Sequence, residues 1–571
     1  MFLAGVALLV ALTGVFVTLA SSREWTNDDA YITFRYASHL AAGHGIVWNL
    51  VEPRRVEGST SLGWTLANAA AVRFGRDPDA FSHVLGLIAG ALVLVLAWVG
   101  ACRTLGLGPL WALAAPGLLC AQRQHVLWSV SGMETSTAAL LSLAATLLLL
   151  HEDGASPGGV PGEGQGNASG AGSVGVRGRR LGAGPGSGLL FFLGTHFRPE
   201  TPLLHLAAGV GLVGARRTRH TLRLVAVSGL VHAAGLAALT AWRLAYFGQA
   251  LPNPFYVKVG GLQLERGMRF LAEFGLQNHA WLWGGAILLA VPRLWRRARV
   301  PFAVLAAQLA AWCAWLAAIG GDVWEFRFLV PVLPVLALLF ALALAQLEPA
   351  RPRTTPAARA HPTAGGAPGR PSTARFRRAV AVTAGVTVLL SQLHVLRSGF
   401  RSYADAFSVD DLARGAEYVG REAASLSRYL GAEDRICTGW AGAIPYFTGA
   451  WHLDPWGLNA AEIARRPLDP AAVLYHQRHA AWSDVVANRV MFCDVFNHFL
   501  FPYAFDPRAP RNVVPWVEPG VPVFSVRLPE GHHWLFTSAR PRAEVESWLA
   551  SRGLGLESVI PLPGGWPRLG E

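Results

Sequence analysis

The sequence predicts an α-helical polytopic membrane protein of about eleven transmembrane helices, carrying a C-terminal extracytoplasmic α/β soluble domain. Three observations predict it. Of the 571 residues, 52% are hydrophobic and only 15% charged, too apolar for an ordinary soluble chain. Long apolar runs recur as far as residue 399 and then stop. The arginines between those runs fall in alternate connections.

Met1–Ala20 is apolar and uncharged throughout. A secretory signal has a basic start and a shorter apolar core, and about 20 helical residues cross a bilayer's hydrocarbon layer. This segment is therefore read as an uncleaved first span. Ten more follow near residues 80–101, 108–121, 136–150, 185–196, 202–214, 222–245, 279–292, 301–318, 328–346 and 379–396. The connections after the second, fourth, sixth, eighth and tenth spans hold Arg103, Arg177 to Arg180, Arg216 to Arg219, Arg293 to Arg297, and a stretch from Arg351 to Arg378 with seven arginines and no acid. Arginine in alternate loops marks the cytoplasmic side of a bacterial inner membrane. The net charge of +13 is thus a topology signal, and nucleic acid is not an expected partner. Gly154–Gly184 and Pro352–Thr373 are low-complexity cytoplasmic linkers.

The loops left facing outward are Glu24–Asp79, Gln122–Thr135, His196–Glu200, Phe247–Gln277 and Gly320–Arg327. The expected division is a transmembrane domain over 1–399, with its catalytic outer loop at 21–79, and an extracytoplasmic domain over 400–571. Five cysteines lack any C-x-x-C spacing, which argues against a zinc ribbon or a thioredoxin-like site. Cys437 and Cys493 lie in the outer domain, where a disulfide and two buried thiols both fit.

Candidate chemistry begins at Asp28-Asp29. Adjacent carboxylates beside low dielectric repel each other, so one pKa rises or a cation lies near. A general base or a metal ligand needs that setting. Helix capping by Asp28 accounts for one carboxylate and leaves the other unexplained. Tyr31 and Arg35 project from the same segment, and Glu57 follows in the same loop. Other outer loops add Glu134, Arg198 with Glu200, Lys258 (the lone lysine), and Asp322 with Arg327. Each taken singly fits a structural role, such as a cap or a snorkelling arginine. Together they place acids and cations in several loops on one side of the membrane, where charge is costly and functional.

The runs Asp28-Asp-Ala-Tyr-Ile-Thr-Phe-Arg-Tyr36, Gly43-His-Gly-Ile-Val-Trp-Asn49 and Arg55-Val-Glu-Gly-Ser-Thr-Ser-Leu-Gly-Trp64 resemble the opening of GT-C-fold glycosyltransferases. The pattern is similar to the mycobacterial terminal β-(1→2) arabinofuranosyltransferases and their bacterial relatives. Ser-Gly-Met-Glu-Thr135, Arg198-Pro-Glu, Pro252-Asn-Pro-Phe-Tyr-Val-Lys, Gly320-Gly-Asp-Val-Trp-Glu-Phe-Arg-Phe, Ala441-Gly-Ala-Ile-Pro-Tyr-Phe and Leu453-Asp-Pro-Trp-Gly-Leu-Asn follow in the same order. Beyond about Arg465 no resemblance is visible.

The resemblance implies an inverting transfer of a sugar from a polyprenyl phosphate to a hydroxyl of a cell-envelope glycan, lipid or protein. Asp28 or Asp29 would be the base, and Arg35, Arg198, Lys258 and Arg327 would bind the donor phosphate. Tyr31, Glu57, Glu134, Glu200, Asp322, Tyr446 and Asp454 would hold substrate, with Trp451 and Trp456 as further aromatic candidates. Ser-Thr-Ser-Leu-Gly-Trp and Gly-Gly-Asp-Val-Trp-Glu depart from the arabinosyltransferase pattern, so the sugar is left open. No cofactor is required by the sequence; a divalent cation between the acids is compatible with it. A lipid-linked oligosaccharide ligase or polymerase, a transporter and a glycan-binding assembly protein are the competing classes. The absence of an internal repeat and the placement of charge away from the midplane weigh against a transporter.

Overall fold

The computed structural model describes residues 1–52, 54–154, 185–258, 260–346, 371–403, 406–469 and 476–569. The bulk of both low-complexity segments lies outside the described residues. Seven helices among the described residues are long and apolar enough to cross a membrane. They are Phe2–Ser21, Pro78–Arg103, Thr135–Glu152, Arg219–Phe247, Arg299–Ile319, Arg327–Ala345 and Arg378–Ser398. Shorter apolar helices run over Pro109–Ala121 and Thr201–Ala215. Helices at Pro185–Thr195 and Ala280–Arg297 fall where the remaining two spans are expected. The chain is a multi-pass membrane protein.

The local reasons for these helices are plain. Proline occupies the first turn at Pro78, Pro109, Pro202 and Pro334, where its missing N–H costs nothing and its fixed φ suits a helix. Asp77 caps the Pro78 helix by accepting from the Ala80 N–H at 2.8 Å. Gly248 and Gly320 end their helices in the left-handed region, with φ of 72° and 89°, as a C-terminal glycine does. The Leu333–Ala345 helix is apolar on every face and buried along nearly its whole length. A helix of that kind belongs at the centre of a bundle, and the others pack around it.

Polar side chains also tie helices together. Gln308 Nε2 donates to Thr146 Oγ1 at 2.9 Å and to the Leu204 carbonyl at 3.1 Å. A longer chain runs Glu152–Ser187–Ser228–His205–His232–Thr195. Its links measure 2.6, 3.0, 2.9, 2.7 and 3.1 Å.

The C-terminal domain contains two small sheets. Strands β1 (Arg435–Cys437), β2 (Trp451–Leu453) and β3 (Phe492–Cys493) form a parallel sheet in the order β2-β1-β3. Strands β4 (Leu500–Phe501), β5 (Pro522–Arg527), β6 (His533–Phe536) and β7 (Leu556–Pro561) form an antiparallel sheet in the order β4-β6-β5-β7. Helix Val409–Leu426, opened by a Ser408–Asp411 capping box, carries one stripe of apolar residues onto this domain's core. Cys437 and Cys493 face each other in register on β1 and β3 as buried free thiols, with no disulfide between them.

His232→Leu removes one partner from His205 and one from Thr195. Interhelical hydrogen bonds in membranes contribute about 0.6 to 1.7 kcal/mol, so the variant is expected to melt a few degrees lower in detergent. An unchanged melting temperature would show that the chain does not hold these helices together.

Candidate active site

The site is organised by the helix Asp28–Ala41. Its cap is Asn27, whose Oδ1 accepts from the Asp29 N–H at 3.0 Å. The capping role considered for Asp28 therefore belongs to its neighbour, which frees both aspartates. Asp28 is buried and turns toward the C-terminal domain. Its two carboxylate oxygens accept from the Gly442 N–H at 2.9 Å and the Ala443 N–H at 2.8 Å. Those amides open the helix Ala443–Thr448, so Asp28 satisfies donors that a helix start leaves unpaired. Glycine is required at 442, because a Cβ there would collide with the Asp28 backbone carbonyl. Burial pushes the Asp28 carboxyl up to about 7 against the two amide hydrogen bonds, with Asp29 adding to the rise.

Asp29 points elsewhere. It lines two cavities at once, together with Lys258, Arg327 and Leu458. The smaller cavity, about 430 Å³, is walled by Ser59, Thr60 and Ser61 of the first loop, by Glu134, Arg198 and Glu200, and by Trp315 and Ile319 from an apolar helix. The larger, about 800 Å³, is walled by Asp322 and Trp324 and by C-terminal residues including Trp440, Trp456, His476, Asn497 and Arg568. Burial raises the Asp29 carboxyl above its ordinary range, opposed by Lys258 and then Arg327. Burial also lowers the Lys258 ammonium, with Asp29 working against that shift.

The other polar groups around the two cavities are tightly arranged. Arg327 donates from Nε to Asp322 Oδ2 at 3.1 Å, and its guanidinium lies 4.2 Å from the Trp324 ring centroid. Phe326, just before it, has φ of 50°, a conformation that a bulky residue adopts only where packing enforces it. This turn sends Glu325 to Arg123 at 2.6 Å and to the Val409 N–H at 2.8 Å, while Arg327 faces the cavities. Arg198 lies 3.4 Å from Glu134. Its Nε and Nη2, and Oε2 of Glu200, have no hydrogen-bond partner among the described residues. Burial lowers His476 to about 4, with Lys258 adding to the shift; its ring lies 4.3 Å from that of Trp456.

Of the residues singled out from sequence, Asp28, Asp29, Arg198, Lys258, Arg327, Glu134, Glu200, Asp322 and Trp456 are brought to these cavities. Six are not. Trp451 lies on β2, with the Arg435 guanidinium 4.6 Å from its ring centroid. Arg35 donates to the backbone carbonyls of Trp48, Pro445 and Ala450, so its charge ties the loop to the C-terminal domain. Glu57 accepts from Nε and Nη2 of Arg243 at 2.8 and 3.0 Å. Tyr31 and Tyr446 pack on each other at 5.5 Å, and the Tyr31 hydroxyl donates to Asp79 at 3.3 Å. Asp454 accepts from the N–H groups of Trp456 and Asn459 and closes its own turn.

Trp324, Trp440, His476, Asn497 and Arg568, and the Arg123–Glu325 pair, were not anticipated. Trp324 and Glu325 stand inside the run Gly320–Phe328, and Arg123 opens the short helix Arg123–Trp128. Residues beyond Arg465 gave no signal. Among the described residues no group of three or more His, Cys, Asp or Glu side chains is placed to hold a metal ion; Asp322 and Glu134 are each paired with an arginine.

The fold is similar to that of solved membrane proteins. An Archaeoglobus fulgidus oligosaccharyltransferase tethered with an acceptor peptide aligns with a TM-score of 0.53 at 12% identity, over 98% of this chain and 76% of that one. The chain has a GT-C fold. AglB from the same organism, in complex with an inhibitory peptide and a dolichol-phosphate, aligns at 0.51 with 13% identity, over 94% and 74% of the two chains. ArnT from Cupriavidus metallidurans, bound to undecaprenyl phosphate, aligns at 0.46 with 15% identity, over 78% and 85%. A family described as "Domain of unknown function (DUF8728)" matches residues 410–515. No curated protein matches the chain.

Asp28→Ala leaves the Gly442 and Ala443 amides unpaired, at about 1 to 3 kcal/mol each. The variant is expected to melt lower than wild type. The folded protein binds a proton at Asp28 more tightly than the unfolded chain does, so the contribution of Asp28 to stability falls as pH rises from about 4 to 7. The stability difference between wild type and Asp28→Ala should accordingly be larger at pH 5 than at pH 8. Equal melting temperatures at both pH values would mean that Asp28 does not fasten the two parts together.

Proposed function

We propose that this protein is an inverting membrane glycosyltransferase that moves a sugar from a polyprenyl phosphate to a hydroxyl of a cell-envelope glycan, lipid or protein. The observation that carries the reading is the position of Asp29, beside Lys258 and Arg327, where two cavities of different character meet. The smaller one borders apolar helices and holds cations, as a lipid-linked phosphate donor needs. The larger one is lined by the C-terminal domain and suits an acceptor. The fold shared with an oligosaccharyltransferase tethered with an acceptor peptide, and with AglB in complex with a dolichol-phosphate, supports the same assignment. The arginine distribution supports cavities on the extracytoplasmic face of the inner membrane.

The step balances simply. Asp29 takes the proton of the acceptor hydroxyl as its oxygen bonds to the anomeric carbon from the face away from the phosphate. The bond from that carbon to the phosphate oxygen breaks, and its electron pair leaves with the phosphate. Lys258, Arg198 and Arg327 stabilise the charge that develops there. Asp28 positions Asp29 by locking the helix they share. A second reading, transfer of a whole oligosaccharide from a lipid-linked donor, draws on the same neighbours and is separated from the first by the donor used.

Membranes carrying wild type or Asp29→Asn, supplied in parallel with radiolabelled polyprenyl phosphate pentoses and hexoses and with radiolabelled lipid-linked oligosaccharides, test the proposal. Loss of a general base is expected to lower transfer by about 10² to 10⁴-fold while the melting temperature is retained. The base must be ionised, and its pKa is raised, so wild-type transfer should fall with acidification at a pH above the ordinary aspartate value of about 4. Undiminished transfer by Asp29→Asn contradicts the assignment. Transfer only from an oligosaccharide donor favours the second reading.

A further inference from the structure

The larger cavity has a wall that is built far along the chain from Asp29 and is fixed in place independently of it. Residues 513–517 and 566–569 lie side by side. The Val513 N–H donates to the Pro567 carbonyl at 2.9 Å, and the Leu569 N–H donates to the Val513 carbonyl at 2.8 Å. Arg568 Nη1 donates to the carbonyls of Val514, at 3.2 Å, and Val517. The Trp566 ring packs against Phe496 and Phe505 at 6.0 and 5.8 Å. Arg568 and Leu569, held by these bonds and only partly buried, line the cavity.

The adjoining wall is equally constrained. Asn497 has φ of 62°, in the left-handed region that asparagine enters more readily than most other non-glycine residues. A Cβ on Gly439 would lie 2.7 Å from Asn497 Oδ1 and 2.8 Å from Trp456 Nε1, so no larger residue fits there without displacing the wall. The space enclosed is about 800 Å³, the size of a pocket that buries a whole ligand and far more than one reacting hydroxyl fills. Flat rings (Trp440, Trp456) stand beside hydrogen-bonding groups on Asn497 and Arg568, a lining matched to the apolar face and polar rim of a sugar ring.

We propose that Leu569, on this fixed wall, is a specificity-determining residue that sets how long a glycan acceptor the larger cavity admits. The inference rests on the glycosyl-transfer reading above and deepens it. The reacting hydroxyl lies at Asp29, and the rest of the acceptor extends along the wall until it meets Leu569. The residue touches neither the proton nor the phosphate. Its substitution changes which acceptors are used and leaves the chemistry alone.

The test uses the full-length protein in membranes, the radiolabelled polyprenyl phosphate sugar that wild type uses, and oligosaccharides of graded length released by mild acid from the host's envelope glycan. Leu569→Trp is expected to lower kcat/KM for the longest acceptors at least tenfold relative to the shortest. Leu569→Ala should shift the preference toward longer ones. An unchanged length profile in both variants, or a loss equal at every length, overturns the role of the wall. If wild type labels crude envelope but none of the oligosaccharides, the glycan acceptor is overturned and glycosyl transfer stands. If wild type labels nothing, both fall.

Discussion

The rest of the site depends on one docking interaction: the Asp28 carboxylate accepting from the Gly442 and Ala443 amides. A carboxylate buried this deeply is costly unless backbone donors meet it, and here two donors at the start of a helix do so. Arg35 repeats the connection from the same helix, reaching the carbonyls of Pro445 and Ala450 in the C-terminal domain. Acid to N–H and guanidinium to C=O, the two residues fix the helix Asp28–Ala41 in rotation as well as position. Asp29 is then held where the two cavities meet, because its neighbour cannot turn. Paired aspartates thus divide into a fastener and a group that faces both cavities.

Charge around the cavities follows the same economy of geometry. Glu57–Arg243, Glu325–Arg123, Asp322–Arg327 and Glu134–Arg198 are buried ion pairs. Breaking such a pair is strongly destabilising, because the remaining charge is left uncompensated. Glu325–Arg123 also reaches Asp410 and the Val409 amide, joining the ends of the membrane helices to the C-terminal domain. The arginines are therefore pre-oriented before any substrate enters, as the proposed stabilisation of a leaving phosphate requires. The strained Phe326 backbone is the local cost of sending Glu325 and Arg327 to different tasks.

Much of this was legible in the chain, for identifiable reasons. Apolar runs announce helices because lipid tolerates little else, and the loss of those runs after residue 399 announced a domain of another kind. Acids and arginines in short outward loops had few places to go, so Glu134, Arg198, Glu200, Lys258, Asp322 and Arg327 did gather with Asp29. Arg35 and Glu57 lie away from the cavities because they reach partners 410 and 186 residues away, and no local pattern shows where a long side chain will end. Trp440, His476, Asn497 and Arg568 were invisible for a related reason. They come together only through β1 and β3 and the pairing of residues 513 and 568, which are contacts of tertiary structure.

The most direct test of the central claim is a structure of the protein with a polyprenyl phosphate bound. The account predicts phosphate density in the smaller cavity, in hydrogen-bonding reach of Lys258, Arg198 or Arg327, with the prenyl chain leaving between apolar helices and Asp29 free to face the larger cavity. Phosphate in the larger cavity, or against Arg35 with the Asp28 contacts to Gly442 and Ala443 broken, would contradict it.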